Sequence, residues 1–353
     1  MNDQREPVQG MATVDEQVSP DKDMEQLRQQ AHTYLHNRQW QLAQQTFAAL
    51  LGHDEQDEDA LNGLALALDQ LGDYDLMYEK AQKALRLNPQ SALALACKAR
   101  ALQKLERLSE ATIANDQALL LDTNLALAWF NRSGQQLIQQ RYPEALRYAE
   151  RAVELNPDDS RSWMNKALAL VNLNRPYEAL EAVNRGLSLD PDYLVALNLK
   201  AEILRRYGRL PEAIATLQHA LEANPDDIPA LNMLAQIFRT LGRYEELLPL
   251  TQKLVELTPD SPFAWESHMC ALRGLGRFEE ASEAIERVIA FNPGIPRYWM
   301  IKADNLYRLE RYREAVNAAD RALRLDEEYA PAHRIHEKAT RAMYQQKRKK
   351  REK

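Results

Sequence analysis

Residues 58–91 read EDALNGLALALDQLGDYDLMYEKAQKALRLNPQS, and this stretch contains every part of a unit that the chain repeats. Leucines recur three or four residues apart in its first half, which predicts an amphipathic helix. Gly72 and Asp73 interrupt the pattern, and a second apolar stripe then runs from Met77 to the pair Asn88-Pro89. The stretch therefore predicts two helices joined by a tight turn.

The same unit recurs every 34 residues. Prolines stand on this spacing at Pro89, Pro157, Pro191, Pro225, Pro259 and Pro293, with Thr123 at the missing place. Glycines follow the first helix at Gly72, Gly208, Gly242 and Gly276, where a left-handed backbone favours glycine. One helix pair cannot bury its own apolar stripe, so the period predicts a stack of helix pairs, which is a solenoid.

The repeat resembles the tetratricopeptide repeat family. That family has a bulky residue early in helix A and a small residue four positions later, as in Trp163 and Ala167 here, with further small residues such as Ala179 in helix B. The resemblance covers about 24–329 and implies an all-α, right-handed superhelical solenoid of about nine repeats. The expected repeats are 24–57, 58–91, 92–125, 126–159, 160–193, 194–227, 228–261, 262–295 and 296–329.

Both ends and one repeat depart from the regular pattern. Residues 1–23 are polar and without periodicity, and we expect them to be disordered. One more amphipathic stripe predicts a capping helix at 330–346, followed by a basic tail at 347–353. Pro249 falls inside a helix B, where it is expected to kink or break the helix.

Composition is typical of a cytoplasmic helical protein. Charged residues make up 27% of the chain, the net charge is −7, and no apolar run is long enough to span a membrane. Cys97 and Cys270 lie five repeats apart, so we expect both to be reduced thiols. The chain is expected to be cytoplasmic and not to contact a membrane.

Catalytic and metal-binding motifs are missing where they would be expected. The sequence has no phosphate-binding glycine loop, no nucleophile elbow and no paired-cysteine motif. His32 and His36 are four residues apart, but no third ligand accompanies them. We therefore predict a protein that is not an enzyme and that binds no cofactor and no metal.

The resemblance also implies a binding surface. In this family helix A lines a concave groove, with its second, fifth, ninth, twelfth and thirteenth positions facing inward. At these positions the central repeats supply the apolar residues Leu127, Phe130, Leu137, Ile138, Met164, Leu168 and Val171. The C-terminal repeats supply Arg205, Arg206, Arg239, Arg273, Arg297 and Arg308. Arg205, Arg239 and Arg273 share one position in consecutive repeats and are expected to form a ladder.

An apolar groove with a basic end predicts a ligand with apolar anchors and acidic residues or a free carboxylate, because arginine binds carboxylates through paired N–H donors. We therefore predict a protein–protein interaction scaffold that binds a peptide segment or a partner protein in its groove. The competing interpretation is that these arginines only pair with nearby acids such as Glu202 and Asp304.

Three other roles stay open at this point. Residues 341–353 carry seven Lys or Arg and one Glu, so a nucleic-acid- or ribosome-associated factor that binds through this tail is an alternative. An accessory arm of an enzyme whose chemistry lies on a separate chain is another alternative, since no catalytic domain fits within these residues. Self-association is possible as well.

Overall fold

The computed structural model describes residues 20–351, and in this range it contains nineteen helices and no strand. The all-α helical-repeat fold is therefore confirmed. The chain divides into two compact units, the first ending at Arg175 and the second beginning at Pro176. We call them unit 1 and unit 2.

Unit 1 contains four complete helix pairs and the first helix of a fifth. Its helices are α1 (Pro20–His36), α2 (Trp40–His53), α3 (Glu58–Leu71), α4 (Tyr74–Leu87), α5 (Ala92–Lys104), α6 (Leu108–Leu121), α7 (Ala126–Ile138), α8 (Tyr142–Leu155) and α9 (Ser160–Asn172).

Unit 2 begins with a helix B and ends with an unpaired helix. Its helices are α10 (Pro176–Leu189), α11 (Leu194–Arg206), α12 (Leu210–Ala223), α13 (Ile228–Leu241), α14 (Tyr244–Leu257), α15 (Pro262–Gly274), α16 (Phe278–Phe291), α17 (Pro296–Arg308), α18 (Tyr312–Leu325) and α19 (Ala330–Arg351).

Odd-numbered helices up to α17 are helix A of their repeat, and even-numbered helices are helix B. Each helix packs on the next one within its unit, and neighbouring A helices also pack, as α3 does with α5 and α5 with α7. Fully buried alanines such as Ala65, Ala81 and Ala99 lie at these contacts. Their small side chains let the helix backbones approach closely, which is what the spacing of small residues predicts.

The turn after helix A is left-handed in every repeat. Gly72, Gly208, Gly242 and Gly276 have φ between 69° and 80°, as the sequence predicts. Arg38, Glu106, Gln140, Asn174 and Glu310 occupy the same place with φ between 57° and 61°. The turn is thus imposed by the repeat, even where the residue has a side chain that disfavours this backbone.

Tryptophans early in helix A are fixed by a recurring hydrogen bond. The indole N–H of Trp163 donates to the Pro157 carbonyl at 2.8 Å, and that of Trp129 donates to the Thr123 carbonyl at 2.8 Å. Trp265 and Trp299 make the same bond to Pro259 and Pro293. Because the acceptor is a main-chain carbonyl, Thr123 can replace proline on the 34-residue spacing without losing the bond.

Of the two predicted effects of Pro249, a kink or a break, the break is wrong. Helix α14 continues from Tyr244 through Pro249 to Leu257. Pro249 lies on the exposed side of the helix, where only the backbone bond to the carbonyl four residues earlier is lost. Leu247 and Leu254, both fully buried, hold the opposite side of α14 in the core of unit 2.

The two ends of the described range are helical. Helix α1 begins at Pro20, inside the segment predicted to be disordered, whose residues 1–19 lie outside the described residues. Helix α19 packs on α17 and α18, with Ile335 and Ala339 buried, and continues into the predicted basic tail as far as Arg351. Residues 352–353 of that tail are not described.

Candidate functional site

Unit 2 has a cavity of about 730 Å³ on the face that helices α13, α15 and α17 share. Its walls are formed by Arg239, Tyr244, Glu266, Met269, Cys270, Arg273, Gly274, Arg297, Tyr298, Met300 and Ile301. Three of the six predicted groove arginines therefore line one cavity, which we call the arginine cavity. Its other walls are largely apolar.

The three arginines differ in how their charge is balanced. The Nη2 of Arg273 donates to Oδ2 of Asp304 at 2.7 Å, and its Nη1 donates to the Ile301 carbonyl at 3.3 Å. Within the described part of the chain, neither Arg239 nor Arg297 has a carboxylate within 4 Å. The arginine cavity thus holds two guanidinium groups that have no ion pair within the described residues.

Arg239 is nevertheless held in place. Its Nη1 donates to Oγ of Ser267 at 3.5 Å, and its guanidinium lies 5.4 Å from the centre of the Phe263 ring. Arg239 is half-buried, whereas Arg297 is exposed at the start of α17. A fixed guanidinium loses little conformational freedom when it binds an anion, so Arg239 is the better placed of the two.

The carboxylate of Glu266 lies on the cavity wall and already accepts a hydrogen bond. The Tyr298 hydroxyl donates to Oε1 of Glu266, and Tyr298 is only 8% exposed. Burial, together with this hydrogen bond, raises the pKa of Tyr298 to about 12, so the hydroxyl keeps its proton near neutral pH. Glu266 therefore stays hydrogen-bonded to Tyr298. Among the described residues of unit 2, it forms no ion pair with the groove arginines.

The cavity exists because α15 and α17 are spaced more widely than the A helices of unit 1. The backbones of α15 and α17 approach less closely than those of α5 and α7, and side chains bridge the gap. At the other edge the Tyr244 ring packs directly on Gly274, where an added Cβ would lie 2.2 Å from Cδ2 of the ring. The absence of a side chain at Gly274 therefore lets the Tyr244 ring pack here and form one wall of the cavity.

The remaining predicted arginines lie outside this cavity and are paired with acids. Arg205 and Arg206 both donate to Glu202, at 2.8 Å and 2.6 Å. Arg308 donates to Asp304 at 3.1 Å. The competing interpretation of the sequence, pairing with nearby acids, thus applies to these three arginines and to Arg273, but not to Arg239 or Arg297.

The corresponding face of unit 1 is filled by its own side chains. Asp69 accepts from Nε of Arg100 at 2.9 Å and from Nη1 of Arg161 at 2.5 Å. Both guanidinium groups lie 4.9 Å from the centre of the Phe130 ring. We call these four residues the Asp69 cluster. The Asp69 side chain is only 1% exposed, whereas those of Arg100 and Arg161 are 12% and 22% exposed, so the carboxylate is buried and the two arginines reach the surface.

The charges in the Asp69 cluster determine its protonation. Burial by itself raises the pKa of Asp69, but Arg161 and Arg100 outweigh it and the pKa lies below its ordinary value. Burial by itself lowers the pKa of Arg161, but Asp159 and Asp69 outweigh it and the pKa lies above its ordinary value, so the guanidinium stays charged. The cluster is therefore an ionised carboxylate between two cations at neutral pH.

The predicted apolar groove residues of unit 1 are placed unequally. Phe130 and Met164 are buried, at 5% and 3% exposure. Leu127, Leu137, Leu168 and Val171 are half-buried, and Ile138 is 51% exposed. Phe130 belongs to the Asp69 cluster, and the others offer an apolar surface of varying access.

Sequence reasoning missed several of the residues that shape both faces. Asp69, Arg100 and Arg161 occupy the twelfth, ninth and second positions of their repeats, and these are inward-facing positions in the family pattern. Glu266 and Cys270 occupy the fifth and ninth positions in the same way. The family pattern therefore identifies these positions, but it does not indicate which of their side chains meet.

Neither cysteine is paired with another, and Cys97 is buried while Cys270 is half-buried. Burial raises the pKa of the Cys97 thiol. Over the described residues, no three His, Cys, Asp or Glu side chains come together as metal ligands. No helix in that range has both the length and the apolar character to cross a membrane.

Solved structures are similar to the chain to different degrees. The structure of pilF from Pseudomonas aeruginosa matches with a TM-score of 0.52 and 24% identity, over 61% of this chain and 97% of that one. YrrB, described as a protein of this repeat type with an unusual peptide-binding site, matches with a TM-score of 0.43 and 24% identity, over 56% of this chain and 99% of that one. MamA from Desulfovibrio magneticus RS-1 matches with a TM-score of 0.43 and 17% identity, over 49% of this chain and 97% of that one.

No curated protein matches the chain significantly. Models of one repeat family match most of its length. One model matches residues 28–92, 137–194 and 268–330, and two more models of the same repeat match 178–238 and 230–263. The first of these models alone covers more than half of the sequence. The chain belongs to the tetratricopeptide repeat family.

Proposed function

We propose that the chain is a non-enzymatic scaffold that holds a segment of a partner protein on unit 2, with the arginine cavity as the principal contact. Membership of the tetratricopeptide repeat family supports a protein-interaction scaffold in general. The observation that carries the specific proposal is a cavity of about 730 Å³ with two guanidinium groups that lack a carboxylate partner in the described chain.

The chemistry of the cavity favours a segment with one acidic group beside an apolar side chain. A carboxylate placed between Arg239 and Arg297 would gain charge-assisted hydrogen bonds. Met269, Met300 and Ile301 offer apolar surface next to it, and methionine adapts to different side-chain shapes. The volume lies within the range of pockets that bind small groups, about 300–1,000 Å³, so it suits one or two residues of a peptide.

The half-buried apolar residues of unit 1 are a separate part of the proposal. Leu127, Leu137, Leu168 and Val171, with the exposed Ile138, would provide apolar contacts for a partner. Phe130 and Met164 are covered in the structure, so they support this surface from below.

The test compares two double variants that remove equal charge. We expect Arg239→Gln with Arg297→Gln to weaken binding of fluorescent peptides that carry a Glu or a terminal carboxylate beside Leu or Met by about 10- to 100-fold. Arg205→Gln with Arg206→Gln is the matched control, because these arginines lie outside the cavity and are paired with Glu202. The affinities are measured by fluorescence anisotropy at fixed salt.

Two outcomes would contradict the proposal. Equal loss in both double variants would mean that overall positive charge, not the arginine cavity, determines binding. Binding that neither variant weakens would place the partner elsewhere. Amidation of the terminal carboxylate distinguishes a free chain end from an acidic side chain as the bound group.

A second candidate is nucleic-acid binding through the C-terminal end, and one observation favours it. Helix α19 continues to Arg351, so basic residues of the predicted tail lie on a formed helix, where Lys347 is 5.9 Å from the centre of the exposed Tyr344 ring. Deletion of 347–353 is expected to abolish binding of a single-stranded RNA probe and its steep salt dependence. Unchanged binding after deletion would rule this candidate out.

A further inference from the structure

The Asp69 cluster is assembled across four repeats. Asp69, Arg100, Phe130 and Arg161 lie on α3, α5, α7 and α9, one residue from each A helix. Asp69 and Arg161 are 92 residues apart in sequence. Since α5 and α7 stand between their helices, this ion pair forms across the surface that all four A helices share. The cluster therefore links all four A helices.

The geometry of the cluster is that of a carboxylate-binding site. Arg100 donates to one oxygen of Asp69 and Arg161 donates to the other, so each oxygen has its own guanidinium donor. Charge-assisted bonds of this kind are the strongest that arginine makes with a carboxylate. The Phe130 ring contacts both guanidinium groups and fixes their planes by cation–π attraction. The chain itself supplies the carboxylate that this site holds.

We propose that Arg100, Phe130 and Arg161 form a carboxylate-binding site on unit 1, which Asp69 occupies in the free protein and which an Asp or Glu side chain of a partner segment takes over by displacing Asp69. The proposal concerns unit 1 alone and does not depend on binding at the arginine cavity. Because Asp69 is tethered beside the two arginines, its effective concentration is high, and a free acid competes poorly. Asp69 thus acts as an internal inhibitor of this site.

The test removes the internal carboxylate and supplies it from solution. Asp69→Ala removes the acid of Arg100, leaves Arg161 paired with Asp159 alone, and opens space for a small anion. We expect its melting temperature in chloride to fall by about 5–10 °C. Sodium acetate at equal ionic strength is expected to restore at least half of this loss, with a saturating concentration dependence. Asp69→Asn is the matched control, because its amide fills the space, and acetate and chloride are expected to act on it equally.

A double variant and a second pair of ligands complete the experiment. Adding Arg161→Met to Asp69→Ala is expected to abolish the acetate effect, since one of the two donors is gone. N-acetyl-aspartate amide is expected to replace acetate as the stabilising anion in Asp69→Ala, whereas N-acetyl-asparagine amide is not. This arm separates an acidic side chain of a partner from a site that accepts only small free anions.

The proposal is overturned if acetate stabilises Asp69→Ala no more than chloride, or no more than it stabilises Asp69→Asn. Rescue that persists with Arg161→Met, or acetate rescue without rescue by the aspartate amide, also overturns it. If Asp69→Ala is unfolded in chloride, the same comparison is made by helical circular dichroism after refolding in each salt. If acetate then recovers no more helical signal than chloride, the proposal is likewise overturned.

Discussion

The twelfth position of helix A carries Asp69 in unit 1 and Arg239 in unit 2, and the two side chains have opposite surroundings. Asp69 is almost completely buried and holds two arginines from other helices. Arg239 is half-buried, faces a cavity of about 730 Å³, and has no carboxylate within 4 Å in the described chain. The same position of helix A therefore carries a buried, fully paired side chain in unit 1 and a side chain that lines an open cavity in unit 2.

The comparison shows which feature of a repeat determines access to its inner surface. In unit 1, an acid at this position gathers arginines from the following repeats and joins α3 to α9. In unit 2, arginine recurs at this position, and Arg239 and Arg273 both line the cavity beside α15 and α17. We infer that the sign of the charge at this position, more than the repeat fold itself, sets how open each face is.

The largest expected effect comes from matched arginine removals in the two units. Arg161→Ala leaves the buried Asp69 with one partner, and Arg273→Ala leaves Asp304 with Arg308 alone. Loss of a partner from a buried carboxylate costs about 3 kcal/mol, whereas a partly exposed pair contributes at most about 1 kcal/mol. Urea unfolding followed by circular dichroism measures both changes.

Equal destabilisation by the two substitutions would contradict the contrast between a closed and an open face. Asp304 is 21% exposed and Asp69 is 1% exposed, so water can replace Arg273 far more easily than Arg161. Each variant removes one of two arginines that share one acid, and Arg161→Ala also removes the partner of Asp159 and a contact with the Phe130 ring.

Glycines packed against aromatic rings give the next comparison. A Cβ on Gly63 would lie 2.3 Å from Cζ of Phe47, which is fully buried. Gly63→Ala is therefore expected to lower the free energy of unfolding by about 1–2 kcal/mol, since the ring has no free space to move into. Gly274→Ala meets Cδ2 and Cγ of the half-buried Tyr244 and is expected to cost less, about 0.5–1 kcal/mol, because that side chain borders the cavity and has space beside it.

Thermal unfolding of the two alanine variants tests this difference. A large loss for Gly274→Ala would show that Tyr244 is fixed rigidly, and the cavity wall would then be stiffer than we infer. A negligible loss for Gly63→Ala would mean that the core around Phe47 yields easily.

The pH dependence of unit 1 is expected to follow Asp69. Its pKa is lowered in the folded chain from an ordinary value of 3.8, so its ionised form stabilises the fold. This contribution is fully present above the unfolded pKa and is lost as pH falls through the folded pKa. The stability difference between wild type and Asp69→Asn should be constant from pH 7 to about 5 and should narrow below about pH 4. A constant difference down to about pH 2 would argue against an ionised Asp69.

Local features of the fold could be predicted from the sequence because they depend on neighbouring residues. Helix starts, left-handed turns such as that at Gly72, and the position of Trp163 follow from spacing within one repeat. Pro249 shows the limit of local rules, since packing of Leu247 and Leu254 preserves a helix that proline alone disfavours.

The inner faces could be predicted only in part. The sequence placed Arg239 and Arg297 on the same surface, and both line the cavity. It did not indicate that Asp69 meets Arg161, because that contact depends on how three successive repeats bring α3 and α9 together. The relevant positions were visible, but the distance between them is a property of the stack and not of one repeat.

The smallest expected effect concerns a feature that the two units share. Glu106 in unit 1 and Glu310 in unit 2 are exposed and have φ of 61° and 57°. Glycine avoids the cost of a left-handed backbone, about 1–2 kcal/mol, but loses about 0.5–1 kcal/mol to its greater freedom when unfolded. Glu106→Gly and Glu310→Gly should therefore each stabilise the chain by about 0.5–1 kcal/mol.

The two substitutions should give the same gain if the units differ only on their inner faces. Glu106→Ala and Glu310→Ala are the controls, because alanine removes the carboxylate and keeps the backbone strain, and neither should stabilise the chain. A gain for glycine in one unit and not in the other, measured by urea unfolding, would mean that the turns also differ. The contrast between Asp69 and Arg239 would then not be the only difference that shapes the two faces.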